Sequence, residues 1–466
     1  MTTYDDPVPG GRPGEEDRAR QLTEDLAARG VHGVVLSWVD TCGVNRVKTV
    51  PLARLASAAR WGVGMSPVFD LFLADDSIVS AELQGGPDGD LRLVPDLDTV
   101  VPLAAQPGWA WASVDRMTQE GTLHPGCSRS LLRRLVADAE AQGLTFKAAI
   151  EIEFALGRAD APFPTFEPAC LGSAYGMTRL VEQTDFCADA LRALADEGVD
   201  VDQIHPEYAA GQYEVSVGTL DPVGAADRSV LVRQTLRAVA QRHGLRISFA
   251  PSVVAGGVGN GGHLHVSAWR DGANLHSTGE GRYGMTGEGE AFAAGVLDAL
   301  PALAAITTPS PSSYLRMQPS HWAGIYACWG HETRESAVRV VTGMVGHRDR
   351  AANVEVKCAD LAANPYLLLA GVLGAGLDGV ARSLPLPPEI TGDPAALDPD
   401  EAATRGVRRL PASLPDAVEV FARSPLPAQV YGDVIVDAVL AVRRGEAARC
   451  DGLDAAAVAE AYRWVY

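Results

Sequence analysis

Lysine is scarce in this sequence. Three lysines stand among 466 residues, and arginine supplies the rest of the 39 basic side chains. Acidic side chains number 59, so the formal net charge is −20. A general nucleic-acid binder needs surplus basic side chains to neutralise phosphates, and this composition argues against that class. Any anionic ligand must therefore be held by a local group of cations.

Long apolar runs and paired cysteines are also missing. The longest apolar stretch, Tyr366 to Ala381, is interrupted by Asp378 and is shorter than the roughly 18 residues of a membrane-spanning helix. The seven cysteines are scattered and contain no C-x-x-C pair of the kind that opens a zinc site. Met1 to Arg18 lacks the basic and apolar regions of a signal peptide. We expect a cytoplasmic protein with no membrane or nucleic-acid partner.

The hydrophobic pattern divides the chain into a short β-rich unit and a longer unit of alternating strands and helices. Two strands are expected around a turn at residues 40–45 of the first unit. Ser130 is placed to cap a helix from Leu131 to Gln142 near the start of the second. The predicted division is a flexible tail over 1–17, a first domain over 18–118 and a second over 119–466.

Glutamates recur on the polar faces of predicted strands. Residues 145–155 alternate between apolar and polar, so one strand would carry Glu151 and Glu153 side by side. Glu207 follows at a predicted turn and Glu214 on a short strand. On a solvated strand such a pair costs little, and each pattern alone also fits an exposed face.

Two later strands add histidines and a further glutamate. His263, His265 and Ser267 share one face of the first, and Glu355 and Lys357 share one face of the second. Together with the earlier glutamates these groups would repel one another unless a cation lay among them. Carboxylate oxygens with an imidazole suit Mg²⁺ or Mn²⁺, so the spacing fits a divalent metal site as well as it fits a set of solvated faces.

Cationic side chains concentrate between residues 314 and 360, which is anomalous in so acidic a chain. Guanidinium groups match carboxylate and phosphate oxygens, although solvated surface arginines would give the same pattern. The G-x-G-x-x-G matches at 257–262 and 374–379 do not open a helix after a strand, and no P-loop motif occurs. The cationic residues are Arg316, Arg334, Arg339, Arg348, Arg350 and Lys357.

Taken in order, these motifs resemble those of the glutamine synthetase superfamily. The likeness begins in the β-rich segment 34–51 and reaches the DLAANPY segment at 360–366, so it covers most of the chain. The matching motifs are DLRLVPD at 90–96, EIE at 151–153, HPE and GQYE within 205–214, GHLH at 262–265, and Arg316, Arg334, Arg339 and Glu355.

The resemblance implies two to three Mg²⁺ (or Mn²⁺) ions per active site. One ion would be bound by Glu153, Glu207 and Glu214. A second would be bound by Glu151, His263 and Glu355.

The resemblance also implies binding residues for ATP and L-glutamate. ATP would lie along the strand of His265 and Ser267, with its phosphates at Arg334 and Arg339. The α-carboxylate of glutamate would meet Arg316 and the backbone at Gly259, with Lys357 nearby. Arg339, Glu207 and Arg316 would be the catalytic residues.

Family members phosphorylate the γ-carboxylate of glutamate and let an amine attack the acyl phosphate. The resemblance therefore implies an ATP-dependent ligase. It also implies an α+β fold, with a β-grasp N-terminal domain and a large catalytic domain built on a curved antiparallel sheet. The implied assembly is a homo-oligomer, a dodecamer of stacked hexamers.

The sequence departs from the ammonia-using members in its amine site. They carry a glutamate six residues after the substrate arginine, and Trp322 stands there in this chain. An indole takes no proton, but its face can hold an ammonium or alkyl-ammonium group by cation–π contact. The aspartate that binds ammonium in those enzymes aligns with Asp70, Asp75 or Asp76, and the sequence does not decide which.

These departures favour a γ-glutamyl ligase for a small organic amine, either ethanolamine-like or a polyamine. We expect its amine pocket near Trp322, Tyr175 and Glu207. Loss of the glutamate at 322 favours an amino alcohol or monoamine slightly over a long polyamine. The alternatives are an ammonia-dependent glutamine synthetase and a non-catalytic regulatory or structural member of the superfamily.

Overall fold

A computed structural model describes residues 14–86 and 89–466. Most of the predicted tail, residues 1–13, lies outside the described residues. The first helix, α1, begins at Glu15, so the last three positions of the predicted tail belong to its first turn.

The N-terminal domain is a six-stranded sheet covered by two helices. Its elements are α1 (Glu15–Ala28), β1 (Gly33–Val39), β2 (Asn45–Pro51), α2 (Leu55–Trp61), β3 (Val63–Met65), β4 (Leu91–Pro95), β5 (Val101–Pro102) and β6 (Trp109–Met117). The strand order is β2-β1-β6-β4-β3, with β5 beside β6, and β1 runs parallel to β6. Alternate residues of β1, Val34, Leu36 and Trp38, are buried in the core of this domain.

The catalytic domain contains two further sheets and most of the helices. Its strands are β7 (Leu144–Ile150), β8 (Ile152–Arg158), β9 (Val201–Pro206), β10 (Gln212–Val217), β11 (Leu245–Ser248), β12 (Leu264–Arg270), β13 (Ala273–Asn274), β14 (Tyr326–His331), β15 (Ser336–Val341), β16 (Asn353–Val356) and β17 (Arg408–Arg409). Its helices are α3 (Ser128–Glu140), α4 (Met177–Glu182), α5 (Thr184–Asp196), α6 (Pro222–Arg242), α7 (Gly287–Thr307), α8 (Ser313–Arg316), α9 (Arg348–Ala351), α10 (Pro365–Ala381), α11 (Pro399–Thr404), α12 (Leu414–Arg423), α13 (Leu426–Arg449) and α14 (Ala455–Tyr462).

The two catalytic sheets meet at Glu151. One sheet has the order β11-β8-β10-β9, and the other runs β13-β12-β16-β15-β14-β17 with β7 beside β12. The expectation of a single strand over residues 145–155 is therefore wrong: β7 ends at Ile150, and β8 begins at Ile152 in the other sheet. Strand β7 pairs with β12, whereas β8 pairs with β10 and β11, so the chain bends between β7 and β8. The predicted α+β class is confirmed.

The first helix of the catalytic domain begins earlier than the sequence suggested. The prediction that Ser130 caps it is wrong, because α3 begins at Ser128 and Cys127 occupies the cap position. The hydroxyl of Ser130 donates instead to Asp115 of the N-terminal domain at 2.9 Å. The predicted apolar stripe of this helix nevertheless faces the core, with Leu132 and Ala139 buried.

Helices α7 and α10 cross closely at two glycines. A Cβ atom at Gly379 would lie 2.2 Å from the carbonyl oxygen of Ala291 and 2.6 Å from the Cα of Gly295. The G-x-G-x-x-G match at 374–379 thus serves helix packing. Among the described residues, one helix, α7, is long enough and apolar enough to cross a membrane, and 83% of its most apolar segment is buried inside the protein. Helices α12 and α13 meet the same criteria only when they are counted together, and they are bent by 109° relative to each other.

An arginine of α3 joins the two domains. Arg129 is buried and donates to Asp227 of α6 at 2.7 Å and to Asp96 of the N-terminal domain at 2.9 Å. Asp227 also accepts hydrogen bonds from Ser113 and Tyr366, at 2.7 and 2.6 Å. This network fixes the N-terminal sheet against the helices behind the catalytic sheets.

Candidate active site

A cavity of about 330 Å³ lies where the two catalytic sheets meet. Five glutamates line it together with three arginines and one lysine. Both sequence clusters, the acidic and the cationic, thus face the same space. The predicted site residues in its lining are Glu151, Glu153, Tyr175, Glu207, Glu214, Gly259, His263, Arg316, Trp322, Arg334, Arg339, Glu355 and Lys357.

One acidic group is built around Glu151, at the bend between the sheets. Its carboxylate lies 2.7 Å from His263 Nδ1 and 3.0 Å from His265 Nε2. Glu355 Oε1 lies 3.7 Å from the same His263 nitrogen. Glu151, His265 and Glu355 each offer one ligand atom within 4.8 Å of the others. His263 and His265 thus both belong to this group.

The second acidic group belongs to the sheet of β8, β9 and β10. Glu153 and Glu214 stand directly opposite each other on β8 and β10, and both are buried. Glu207 follows β9 and accepts a hydrogen bond from the Tyr175 hydroxyl at 2.7 Å. Glu207 and Glu214 form a group with His205 whose ligand atoms lie within 4.8 Å of one another.

Burial makes these carboxylates costly to ionise. It raises the pKa of Glu207 to about 7 and also raises that of Glu153. Burial opposes ionisation of Glu355 as well, but Lys357 and the two histidines outweigh it and lower the pKa of Glu355 to about 2. Like charges directly opposite in a sheet destabilise it. In the second group the hydrogen bond to Glu214 raises the pKa of His205 to about 9, so this imidazolium offsets part of the repulsion, but the pKa values of Glu207 and Glu153 stay raised.

These residues fit a divalent cation. Buried carboxylates that face one another, with an imidazole beside them, are the donor set of Mg²⁺ and Mn²⁺ sites. A cation between Glu153 and Glu214 would offset the repulsion and favour the ionised form of both. The two groups lie on different sheets, so each sheet offers a separate set of ligands.

The cationic half of the cavity lies against the first acidic group. Arg339 donates to Glu355 at 2.9 Å, and Lys357 Nζ lies 3.1 Å from the same carboxylate. Arg316 is buried and lies 3.2 Å from His263 Nε2. A Cβ atom at Gly259 would lie 2.8 Å from the Arg316 side chain, so glycine permits this close approach.

An aromatic wall closes the side of the cavity near Glu207. We use this term for Tyr175, Tyr208 and Trp322. Tyr208 lies edge-on to each of the other two, with ring centroids 5.4 Å apart in both pairs. The guanidinium of Arg334 lies 5.8 Å from the Trp322 ring centroid. The wall is partly exposed, with Trp322 44% and Tyr208 41% accessible.

Two predicted ATP residues do not line the cavity, within the part of the chain that the structure describes. His265 lies behind it and contacts Glu151 and Asn353. Ser267 is buried, and its hydroxyl accepts a hydrogen bond from the Trp269 indole at 2.8 Å. Arg334 and Arg339, the other predicted ATP residues, do line it.

The three candidate aspartates of the amine site all lie in the described part of the chain, and none of them lines the cavity. Asp70 is buried and pairs with Arg116 at 2.5 Å, and Asp76 pairs with Arg46 at 2.6 Å. Asp75 accepts hydrogen bonds from a neighbouring serine. Within one chain the cavity is therefore lined without them.

The structure adds lining residues that the sequence reasoning did not single out. His205 and Gln212 stand inside the HPE and GQYE motifs, and Gln212 donates to Glu153 at 3.2 Å. Tyr208 directly follows the HPE motif, so the motif could have drawn attention to it. Val258, which directly precedes the predicted Gly259, also lines the cavity, as do Gln203 and His321, which no such signal marked.

Buried carboxylates and arginines that share one cavity are typical of the class of metal-dependent enzymes that act on phosphate groups. The chain belongs to the glutamine synthetase family, whose catalytic-domain model (Glutamine synthetase, catalytic domain) matches residues 125–458. The family uses ATP and a divalent metal. The expectation of an enzyme that forms C–N bonds is thereby confirmed against the non-catalytic alternative.

Relatives resemble this chain over most of its length. The gamma-glutamylpolyamine synthetase of Streptomyces coelicolor is 64% identical over 462 residues, which are 99% of each protein. The glutamine synthetase of Clostridium saccharobutylicum is 32% identical over 77% of this chain and 81% of its own. A crystal structure of a novel glutamine synthase homolog superposes with a TM-score of 0.83 at 34% identity, covering 94% of this chain and 99% of that one. A GmaS/ADP complex gives 0.80 at 28% identity, covering 92% and 96%.

Proposed function

We propose that this protein joins L-glutamate to a polyamine: ATP transfers its γ-phosphoryl group to the γ-carboxylate of glutamate, which gives ADP and γ-glutamyl phosphate, and the amine then displaces inorganic phosphate to form the amide. The observation that carries the proposal is the aromatic wall beside Glu207, on the same cavity as the carboxylates and arginines. The relative with 64% identity bears the name of a polyamine ligase, and a structural relative binds ADP. Both support the same reaction.

The arginines and Lys357 are suited to bind the two anionic substrates. Arg316 would hold the α-carboxylate of glutamate, because it is buried and packs against Gly259. Arg334 and Arg339 would hold the phosphates of ATP. Forked guanidinium groups bind carboxylate and phosphate oxygens in pairs, which orients them before reaction.

Two to three Mg²⁺ or Mn²⁺ ions would occupy the acidic groups. One ion would be held by Glu153, Glu207 and Glu214, and another by Glu151, His263 and Glu355. When bound, the metals supply the positive charge that phosphoryl transfer requires. The nearness of His205 and His265 makes each of them a further candidate ligand, since each lies within its acidic group.

The amine would enter along the aromatic wall. Aromatic faces bind alkyl-ammonium groups and also bury methylene carbons. Glu207 lies at the inner end of the wall and would accept the proton that the attacking nitrogen loses. The slight preference for an amino alcohol that the sequence suggested is not kept here, since the relative with 64% identity bears the name of a polyamine ligase.

ADP release in the presence of L-glutamate, Mg²⁺ and a panel of amines tests the proposal. We expect putrescine and spermidine to support faster turnover than ethanolamine, and ethanolamine faster than ammonia, with γ-glutamyl products identified by mass spectrometry. Glu153→Ala should abolish the reaction. Equal turnover of ammonia would contradict the proposal and favour the glutamine synthetase alternative.

Trp322→Ala tests the aromatic wall with a matched control. Trp61 is also exposed, at 47%, and has the Arg60 guanidinium 4.6 Å from its ring centroid, but it lies in the N-terminal domain. We expect Trp322→Ala to raise KM for the amine about tenfold, as loss of a cation–π contact predicts, and Trp61→Ala to leave it unchanged. Equal effects of both variants would refute the assignment.

Two further properties are proposed, the oligomeric state of the protein and its location in the cell. A dodecamer of stacked hexamers is expected by resemblance alone, and light scattering of the purified protein would measure it. A cytoplasmic location is supported by the free thiols of all seven cysteines.

A further inference from the structure

A short loop carries Trp322 to the cavity in an unusual backbone conformation. Ser320 and Trp322 have φ angles of 55° and 54°, in the left-handed region. Residues other than glycine seldom adopt a left-handed conformation, and bulky residues do so least often, so contacts with the rest of the protein must hold the loop in it. Two of the contacts that hold the loop are made by carboxylates from distant parts of the chain.

Glu335 makes the contact at Trp322 itself. Its Oε1 accepts a hydrogen bond from the Trp322 backbone N–H at 3.1 Å, across 13 residues of chain. Glu335 is buried at the start of β15, which lies in the curved sheet. Asp393 makes the second contact, since its Oδ2 accepts a hydrogen bond from the Ser320 hydroxyl at 2.8 Å.

The anchored backbone determines where the indole lies. Trp322 meets Tyr208 edge-on at 5.4 Å and lies under the guanidinium of Arg334. Arg334 and Glu335 are the two residues directly before β15. This short segment therefore provides both the carboxylate that anchors the loop and the cation that lies over the Trp322 ring. Without the anchor, the Trp322 backbone can relax to a negative φ, and the indole leaves the wall.

We propose that Glu335 is a positioning residue for amine selectivity, because it holds Trp322 in place at the aromatic wall. The proposal rests on the proposed function in that it takes the wall as the amine site. Glu335 itself does not belong to the described cavity lining, so its effect on the reaction passes through Trp322.

The test compares Glu335→Ala with Glu335→Gln in steady-state kinetics. We expect Glu335→Ala to raise KM for the amine about tenfold, as Trp322→Ala does, with KM for glutamate changed less than about twofold. Glu335→Gln should retain the wild-type KM, because its amide oxygen can still accept the Trp322 N–H. Equal losses in both variants would show that the charge, and not the anchor, is used, and would overturn the proposal.

A double variant and a control complete the test. Glu335→Ala combined with Trp322→Ala should lose no more than Trp322→Ala alone, since both remove the same contact. Glu389 offers the matched control, because it accepts a backbone N–H from His331 at 2.9 Å and the Tyr283 hydroxyl at 2.6 Å, neither of which belongs to the Trp322 loop. Glu389→Ala should leave KM for the amine unchanged, and an equal rise there would overturn the proposal.

The two proposals fail in different ways. If the wild-type protein forms no γ-glutamylpolyamine, the proposed function fails, while the effect of Glu335→Ala is still measurable on whichever amine is used. If polyamines are used and Glu335→Ala leaves their KM unchanged, the positioning role alone is refuted.

Discussion

Replacing Glu153 by glutamine should stabilise the metal-free protein while abolishing its activity. Glu153 and Glu214 are buried and directly opposite on neighbouring strands. Burial is the largest cost of the Glu153 charge, and it raises the pKa of that carboxyl. Opposed side chains lie roughly 5 Å apart, and two unit charges at that distance repel by about 3 kcal/mol at an effective dielectric constant of about 20. The attraction of Glu153 to His263 and Arg316 offsets part of this cost. Glutamine removes one charge and can still accept the Gly261 N–H that Glu153 accepts at 2.8 Å.

Mg²⁺ should reverse this order of stability. A cation bound to the folded wild type at about 100 times its Kd adds about 2.7 kcal/mol to the free energy of unfolding. Glu153→Gln loses a charged ligand and should gain much less. The variant is thus expected to be more stable than the wild type in EDTA, by about 1–3 kcal/mol, and no more stable in saturating Mg²⁺.

Urea unfolding at pH 8, with EDTA and with Mg²⁺, measures both stabilities, and ADP release measures activity. Glu197→Gln is the matched control, because Glu197 is also a buried carboxylate but lies outside the cavity lining in the described structure. The control should respond to Mg²⁺ as the wild type does. If Glu153→Gln and the wild type have equal stability in EDTA and equal gains in Mg²⁺, the metal assignment is refuted.

Three further predictions concern the surroundings of the site. Burial raises the pKa of Glu197 to about 7 from an ordinary 4.5. Its contribution to stability is therefore full below pH 4.5 and is lost as the pH rises through 7. The free energy of unfolding, measured as a function of pH, should change less over this range in Glu197→Gln than in the wild type. Arg129→Ala should cost about 3–5 kcal/mol in urea unfolding, because it leaves the buried carboxylate of Asp227 without its cation, whereas Asp96 keeps Arg133. A loss below about 1 kcal/mol would contradict this reasoning. Gly259→Ala places a Cβ atom 2.3 Å from a backbone carbonyl oxygen and 2.8 Å from Arg316, so KM for glutamate should rise about tenfold. Gly257→Ala is the control, because its Cβ atom would lie no closer than 3.2 Å to any neighbouring atom, and it should change KM for glutamate little.

Alternation of apolar and polar residues predicted the strands well because it separates the side that packs in the core from the side that faces the cavity. Val215 and Val217 of β10, and Val354 and Val356 of β16, are buried as expected. The same alternation runs unbroken through Glu151, although the chain changes sheet there. Periodicity is a local property, whereas sheet membership depends on partners far away in the sequence, so the bend could not be predicted from it.

The residues around the cavity could likewise be predicted only in part from local sequence patterns. The sequence placed the acidic motifs in one cluster, because mutual repulsion called for a common cation. It could not show that Tyr208 joins Tyr175 to Trp322, or that Glu335 anchors the Trp322 backbone. Those contacts depend on loop conformations, and positive φ angles at Ser320 and Trp322 are the opposite of what their residue types favour.

The bend at Glu151 explains how adjacent glutamates can serve different ions. Glu153, Glu207 and Glu214, the expected ligands of one metal, all come from the sheet of β8, β9 and β10 or the turn that follows β9. His263 and Glu355, expected for the other, come from the sheet of β12 and β16, and Glu151 joins them from the bend. Two residues apart in sequence, Glu151 and Glu153 therefore belong to different acidic groups. A straight strand would have placed both on one face and concentrated their charges, whereas the change of sheet separates them around one cavity. The feature that periodicity could not predict is thus the one that makes a site for more than one cation possible.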